Sequence, residues 1–389
     1  MAVVRILFTA SPFVGHVFPM LPLMHAARAA GHEVVLATGA DVVPDVHRRG
    51  FPTWTVGPDL REIFADLARA TAVPSASHEE QLGRDALHLF ARPSVRRTRD
   101  LLPRATAWRP ALVISEITEL AGREVACATG ALHVSHGFGT HVPDTLTFAA
   151  VMFDQVSSEL GTPNRLQAFA TGLYLDPCPP GLQSTGFGGM DVRPVRPSVG
   201  EVSPGDRLPP EFRDLPARPL VYLTLGTVFN DSELVGGVLD AIQDLPISIA
   251  VTTGPAVDPT VLGPRPANVA AASFVPQALL MPLASAVVSH AGSGTMLGAL
   301  ASGLPQVCLP RGADQFANAE RVQAVGAGVR LLPDEVTPER LRAAVSAVLD
   351  EPAYGRAAGA MKAEIEAMPP AAEVLDDLVH LAGPQRWIA

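Results

Sequence analysis

The stretch "VVRILFTASPFVGHVFPMLPLMHAARAAGHEVVLATG", residues 3–39, decides the fold class. Its opening, "VVRILFTAS", is a continuous apolar run rich in β-branched residues, the mark of a strand buried on both faces. "MLPLMHAARAAGHEV" follows at helical spacing and stops at Gly31, a suitable C-terminal cap. "EVVLATG" is the next strand. Strand, helix, strand in so short a span is a βαβ unit, and βαβ units build parallel sheets.

The same pattern recurs in "ALVISEITELAGREVACATG", with a strand over 111–115 and a helix after it. Residues 191–219 are dense in proline and charge and lack apolar periodicity, so a linker is expected there. "LVYLTLGT" then opens a second α/β set, with a strand at 220–225, a helix near 232–243 and the strand "ISIAVTTG". "SAVVSH", "TMLGALASG", "PQVCLP" and "FANAERVQAVGAG" continue the alternation, and "AAEVLDDLVHLAG" is a last helix. The expected division is an N-terminal domain over 1–190, the linker 191–219 and a C-terminal domain over 220–370. Residues 371–389 are expected to pack back on the N-terminal domain. Two doubly wound α/β domains facing an interdomain cleft follow, with ligands at the C-terminal ends of the strands.

The chain of 389 residues is 48% hydrophobic and 17% charged, enough apolar surface for two buried cores and too little charge for a disordered chain. A net charge of −10 without a basic run argues against nucleic-acid binding. Cys127, Cys178 and Cys308 are odd in number and far apart, so neither a disulfide framework nor a metal spacing arises, and a cytoplasmic location is expected. The N-terminus reads as a buried strand rather than a signal peptide, and no apolar run suits membrane insertion.

The chemistry concentrates in "SHAGSGT", residues 289–295. Placed between a buried strand and a helix, it offers unpaired N–H groups and the positive end of the helix dipole to an anion. Gly292 and Gly294 would let a ligand reach the backbone, Ser293 and Thr295 would add hydroxyls, and His290 would hydrogen-bond or partly neutralise a diphosphate. A plain strand-to-helix turn is the alternative. Downstream, Asp314 and Gln315 set a carboxylate beside a carboxamide, a pair able to read sugar hydroxyls. Upstream, "SFVPQALL" offers Phe274 for stacking on a nucleobase, or as core, and Gln277 for a base or ribose oxygen.

The order F-V-P-Q, S-H-A-G-S-G-T, G-L-P, D-Q-x-x-N-A, G-A-G over residues 274–328 resembles the donor-binding signature of family 1 glycosyltransferases, inverting enzymes of the GT-B fold that use nucleotide sugars. "GHVFPMLPL" at 15–23 resembles the acceptor-side loop of the same family, and the closest style is that of actinomycete enzymes acting on polyketides, macrolides or enediynes. The resemblance implies that His290, Gly292, Ser293, Gly294, Thr295 and Thr227 hold the diphosphate. It places Phe274, Val275 and Gln277 at the nucleoside and Asp314 and Gln315 at the sugar. Many relatives that use UDP-sugars carry a glutamate where this chain has Gly298; its absence suits a 2′-deoxyribose and so a dTDP-sugar, unless Gly298 only permits helix packing.

On the acceptor side, His16 occupies the position of the family's general base, a role its usual pKa suits; a packing histidine is the alternative. An orienting aspartate is usual at the end of the following strand, and "PALVISE" puts Glu116 there, with Glu119 as the fallback. Phe13, Phe90, Phe138, Met152 and Phe153 are candidates for an apolar acceptor pocket, segments 55–90 and 133–160 being expected as irregular loops. No Asp-x-Asp cluster or His/Cys ligand set is present, so no metal and no cofactor are expected. The expected partners are a nucleotide-sugar donor and a hydrophobic small-molecule acceptor, with monomer and homodimer left as alternatives. A UDP-sugar transferase of the same fold and a non-catalytic activator of another glycosyltransferase are the rival functions. The missing GxGxxG disfavours an oxidoreductase.

Overall fold

The computed structural model describes residues 3–71, 77–142, 145–183, 187–200, 202, 205–226, 232–254 and 257–383. Seven strands form one parallel sheet: β1 (Arg5–Thr9), β2 (Glu33–Thr38), β3 (Thr53–Thr55), β4 (Leu112–Glu116), β5 (Leu132–His136), β6 (Leu173–Asp176) and β7 (Asp191–Pro194). Their spatial order is β3-β2-β1-β4-β5-β6-β7. Six more form a second parallel sheet: β8 (Leu220–Thr224), β9 (Ser248–Thr252), β10 (Val269–Ala272), β11 (Ala286–Ser289), β12 (Gln306–Cys308) and β13 (Gly328–Arg330), in the order β10-β9-β8-β11-β12-β13.

The apolar runs become central strands because helices cover both faces. In β1, Ile6 and Phe8 join a cluster with Leu23, Met24 and Leu378, while Leu7 faces the opposite side with Val35, Leu101 and Val125. Such strands have no solvent face, which is why they show no alternation. Each sheet reverses direction beside its first strand. β1 lies between β2 and β4, with Thr9 opposite Ala37 and Ser115. β8 lies between β9 and β11, with Thr224 opposite Thr252 and Ser289. The crossovers leave these points in opposite directions, so the carboxyl ends of β1 and β4, and of β8 and β11, are uncovered.

The chain forms two compact units. One comprises 1–177, 185–195 and 369–389, the other 178–184 and 196–368. The helix Ala371–Ala382 buries Val374, Leu375, Leu378 and Val379 in the core beneath β1 and β4. Three sequence expectations are corrected. The stretch 191–219 is not simply linker, since β7 and a short helix Pro210–Arg213 lie in it. β7 escapes a sequence reading because its proline and charges are tolerated at a sheet edge, where it lies. Segments 55–90 and 133–160 are not loops either: they hold the helices Leu60–Thr71 and His78–Asp85, a π-helical turn Ala86–Ala91, β5 and the helix Thr145–Leu160. Among the described residues, no helix is long and apolar enough to cross a membrane.

Candidate active site

In the first unit, the chain leaves β1 and turns at once into a one-turn helix, Val14–Val17, which carries His16. Glu116 ends the neighbouring strand β4. His16 Nδ1 stands 3.0 Å from Glu116 Oε2, and Glu116 is 1% exposed. A buried carboxylate on Nδ1 holds the proton there and leaves Nε2 as the lone-pair nitrogen, the tautomer a general base needs. Thr118 fixes the carboxylate in turn: its N–H donates to Oε1 at 2.7 Å and its hydroxyl to Oε2 at 2.8 Å. The longer glutamate therefore does reach His16. Glu119 is not the orienting residue, because it accepts from Arg97 Nη1 at 3.2 Å with both side chains wholly buried.

His136 lies opposite Glu116 on β5 and was missed from sequence. Burial pushes its imidazole down to about 4, outweighing the backbone of Gly137 and the nearby Glu116, which act in the other direction. It is neutral at pH 7 and does not compete for the Glu116 charge. Thr118 likewise gave no signal, since a threonine after a strand end is unremarkable.

Of the expected acceptor residues, three surround His16 directly. The ring centroids of Phe13, Phe90 and Phe138 lie 5.2, 5.8 and 4.7 Å from the imidazole. Met152 and Phe153 do not line that surface. Each is 2% exposed and packed in the core, Phe153 against Phe169. Both belong to the buried stripe of the helix Thr145–Leu160, with Ala149 and Val156.

In the second unit, β11 ends at Ser289 and the helix Ser293–Ser302 begins with Gly292 as its N-cap. No side chain caps this end, so its first N–H groups are available to an anion. His290 is 9% exposed, and burial lowers its pKa below the ordinary 6.5, against the opposing pull of Asp314 and the Thr224 backbone. Lowered in this way, it is a mainly uncharged hydrogen-bonding group at pH 7. The two glycines of the loop differ. A Cβ on Gly292 would stand 2.4 Å from His290 Nε2, and one on Gly226, whose φ is +81°, would stand 2.7 Å from the same atom. These glycines make the slot for the imidazole. A Cβ on Gly294 would meet nothing within 4 Å.

Asp314 and Asn318 bind the loops together. Ser293 Oγ donates to Asp314 Oδ2 at 2.5 Å, and Asn318 Nδ2 lies 2.8 Å from the same oxygen and 2.9 Å from the carbonyl of Ala291. Ala291 N–H donates to Ser289 Oγ at 3.1 Å, so side chains hold Ala291 by both its backbone groups. That restraint maintains its left-handed φ of 61°. Ala313, next to Asp314, has φ 52°. Gln315 is 2% exposed, and its Oε1 accepts from the N–H groups of Arg311 and Gly312 at 2.8 and 3.2 Å, so its oxygen braces the loop. The buried Asn318 carried no role in the sequence reading, although it stands within the D-Q-x-x-N-A motif.

Phe274 is 54% exposed, whereas Val275 is buried in the core at 2%. Gln277 opens a short helix rather than lying in a loop, and its Nε2 donates to Thr295 Oγ1 at 2.8 Å. Gly298 lies on the same side: a Cβ there would meet Met281 at 3.5 Å and Gln277 Oε1 at 3.7 Å, ordinary contacts. Thr227 lies outside the described residues. Among those residues, no group of three or more His, Cys, Asp or Glu could hold a metal ion.

Two reversal points, one bearing a carboxylate-oriented histidine and the other an uncapped helix end beside a neutral histidine, define a glycosyltransferase of the GT-B fold. Solved structures agree: the glycosyltransferase SsfS6 of Streptomyces sp. SF2575, complexed with thymidine diphosphate, matches with a TM-score of 0.79 at 26% identity, over 96% of this chain and 99% of that one. The chain belongs to the family described as erythromycin biosynthesis protein CIII-like, matching its N-terminal domain over residues 25–199 and its C-terminal domain over 237–381. The L-demethylnoviosyl transferase of Streptomyces niveus is 35% identical over 87% of this chain and 88% of its own length. The 10-deoxymethynolide desosaminyltransferase of Streptomyces venezuelae is 30% identical over 98% of both. The protein is thus a glycosyltransferase of the antibiotic natural-product type.

Proposed function

We propose that this enzyme moves a deoxysugar from a dTDP-sugar to a hydroxyl of a hydrophobic aglycone, with inversion at the anomeric carbon and without a metal. The observation that carries the proposal is the His16 Nδ1–Glu116 Oε2 contact of 3.0 Å, which supplies a base with a free Nε2. His16 takes the acceptor proton as the acceptor oxygen attacks the anomeric carbon. The carbon–oxygen bond to the diphosphate breaks on the opposite side, and its electrons leave with the diphosphate. The N–H groups at the start of the helix Ser293–Ser302, with His290, receive that charge. Preorganised donors of this kind are each worth about 2.7–4 kcal/mol where they have been removed from other enzymes.

The preference for dTDP rests on Gly298. It stands against Gln277 and offers no carboxylate to a ribose 2′-hydroxyl. The thymidine diphosphate of the SsfS6 complex supports the same reading. A transfer assay comparing dTDP- and UDP-sugars tests it, with the anomeric configuration of the product read by NMR. A dTDP preference, an inverted product and a rate unchanged by EDTA are expected. A tenfold or greater preference for UDP-glucose overturns the donor assignment, and retention of configuration overturns the single displacement.

A further inference from the structure

The loop between β4 and the helix Ala121–Thr129 carries Thr118, whose N–H and hydroxyl hold the Glu116 carboxylate. Three further bonds fix that loop. Ile117 N–H donates to the carbonyl of His136 at 2.9 Å, and Glu119 N–H to the carbonyl of Glu116 at 2.9 Å. Leu120 N–H donates to Ser94 Oγ at 3.2 Å, and Ser94 is wholly buried in the helix Arg92–Trp108. Glu119 completes the attachment. Its Oε1 accepts from Ala121 N–H at 2.9 Å and its Oε2 from Gly122 N–H at 3.1 Å. Arg97, on the same helix as Ser94, donates from Nη1 to Oε1 at 3.2 Å.

Folding alone does not call for this ion pair. Both side chains are wholly buried, and the cost of burying two charges roughly cancels their attraction. Among the described residues, Arg97 Nε and Nη2 have no hydrogen-bond partner, a further cost. Apolar side chains of similar volume would serve the core as well. They would not fix a direction, whereas a charge-assisted hydrogen bond sets where the Glu119 carboxylate, and the loop with it, stands.

We propose that Arg97 and Glu119 are positioning residues for the base: they hold the 117–120 loop so that Thr118 meets Glu116 and Glu116 meets His16. The proposal rests on the transferase reading above, in which His16 takes the acceptor proton. Because the pair acts through Glu116, its loss should lower kcat and leave donor KM as it is.

The paired variant Arg97→Met/Glu119→Gln tests this, since it removes both charges together and strands neither in the core. Its kcat should fall tenfold or more, with donor KM changed less than twofold and a Tm close to that of the unaltered chain. In a Glu116→Ala background the same two substitutions should lower kcat less than twofold further, because residues acting through one partner are not additive. Ser94→Ala loosens the same loop without touching the ion pair. It should lower kcat two- to fivefold, and it decides the matter if the paired variant does not fold. The 15N spectrum of the histidine side chains reads the positioning without turnover. The Nδ1–H tautomer of His16, assigned with His16→Ala, should give way to a mixture of tautomers in the paired variant. An unchanged His16 spectrum overturns the proposal, as does a donor KM that rises as far as kcat falls, or a fully additive loss in the Glu116→Ala background. Full turnover by His16→Ala counts instead against the base itself, and the His16 spectrum then tests the positioning alone.

Discussion

His290 occupies a slot made by Gly226 and Gly292, whose missing Cβ atoms would collide with its ring. Gly292→Ala must displace the imidazole, and a tenfold or greater rise in the dTDP Kd is expected by calorimetry. Gly298→Ala meets only ordinary contacts and removes a helix-interior glycine, so it should stabilise by about 0.5–1 kcal/mol, visible as a higher Tm. Gly298→Glu restores a carboxylate beside Gln277 and should shift the dTDP-to-UDP preference toward UDP by tenfold or more. At the other histidine, His16→Ala should lower kcat by about 10²-fold or more. Glu116→Ala, which leaves the ring unoriented, should also lower kcat while sparing donor KM. The placement of His16, His290 and Asp314 beyond strand ends was legible because each stands in a short motif behind an apolar run. The slot was not, because which neighbour a glycine makes room for depends on the loop after β8 as well as its own.

The elements around the site owe their geometry to side chains that contact no substrate in the proposed mechanism. Asn318 links the start of the helix Gln315–Ala324 to Ser293 and to the carbonyl of Ala291. Asn318→Ala leaves buried acceptors unpaired and should destabilise by about 1–3 kcal/mol. It should also raise donor KM severalfold, as steady-state kinetics against dTDP-sugar would show. The buried parallel strands were legible as apolar runs, and most helices by their period. The helix Thr145–Leu160 has the right period too, with Ala149, Met152, Phe153 and Val156 on its buried stripe. Phenylalanine and methionine suit a pocket wall as well as a core, and sequence alone does not separate the two. The π-helical turn left no trace, since packing rather than propensity imposes it.

Across the whole molecule, buried histidines make stability depend on pH. His133, half-buried, and His136, fully buried, lie in the first unit, and the buried His290 in the second; desolvation lowers all three. The unfolded chain, with histidines near 6.5, therefore binds protons before the folded chain does. Stability should be level above pH 7 and fall as the pH drops from 6.5 toward 4. His136 alone contributes roughly 3 kcal/mol to that loss. Thermal melts across this range check it, and His136→Gln should flatten the curve. The core beneath β1 depends equally on distant sequence: Leu378 is fully buried there, and Leu378→Ala should cost about 2–5 kcal/mol and lower the Tm.

The helix Ala371–Ala382 also sets the timing of folding. The unit that holds β1 to β7 takes its last 21 residues, 369–389, from the end of the chain, whereas the other unit ends at Met368. On the ribosome, the part that is translated first cannot close its core until residues 371–382 have been made. The part translated second has its whole sequence sooner. The unit that carries His16, first to be made, is expected to be last to mature, and a stop codon shortly before residue 371 should leave its core open while the unit that carries His290 still folds.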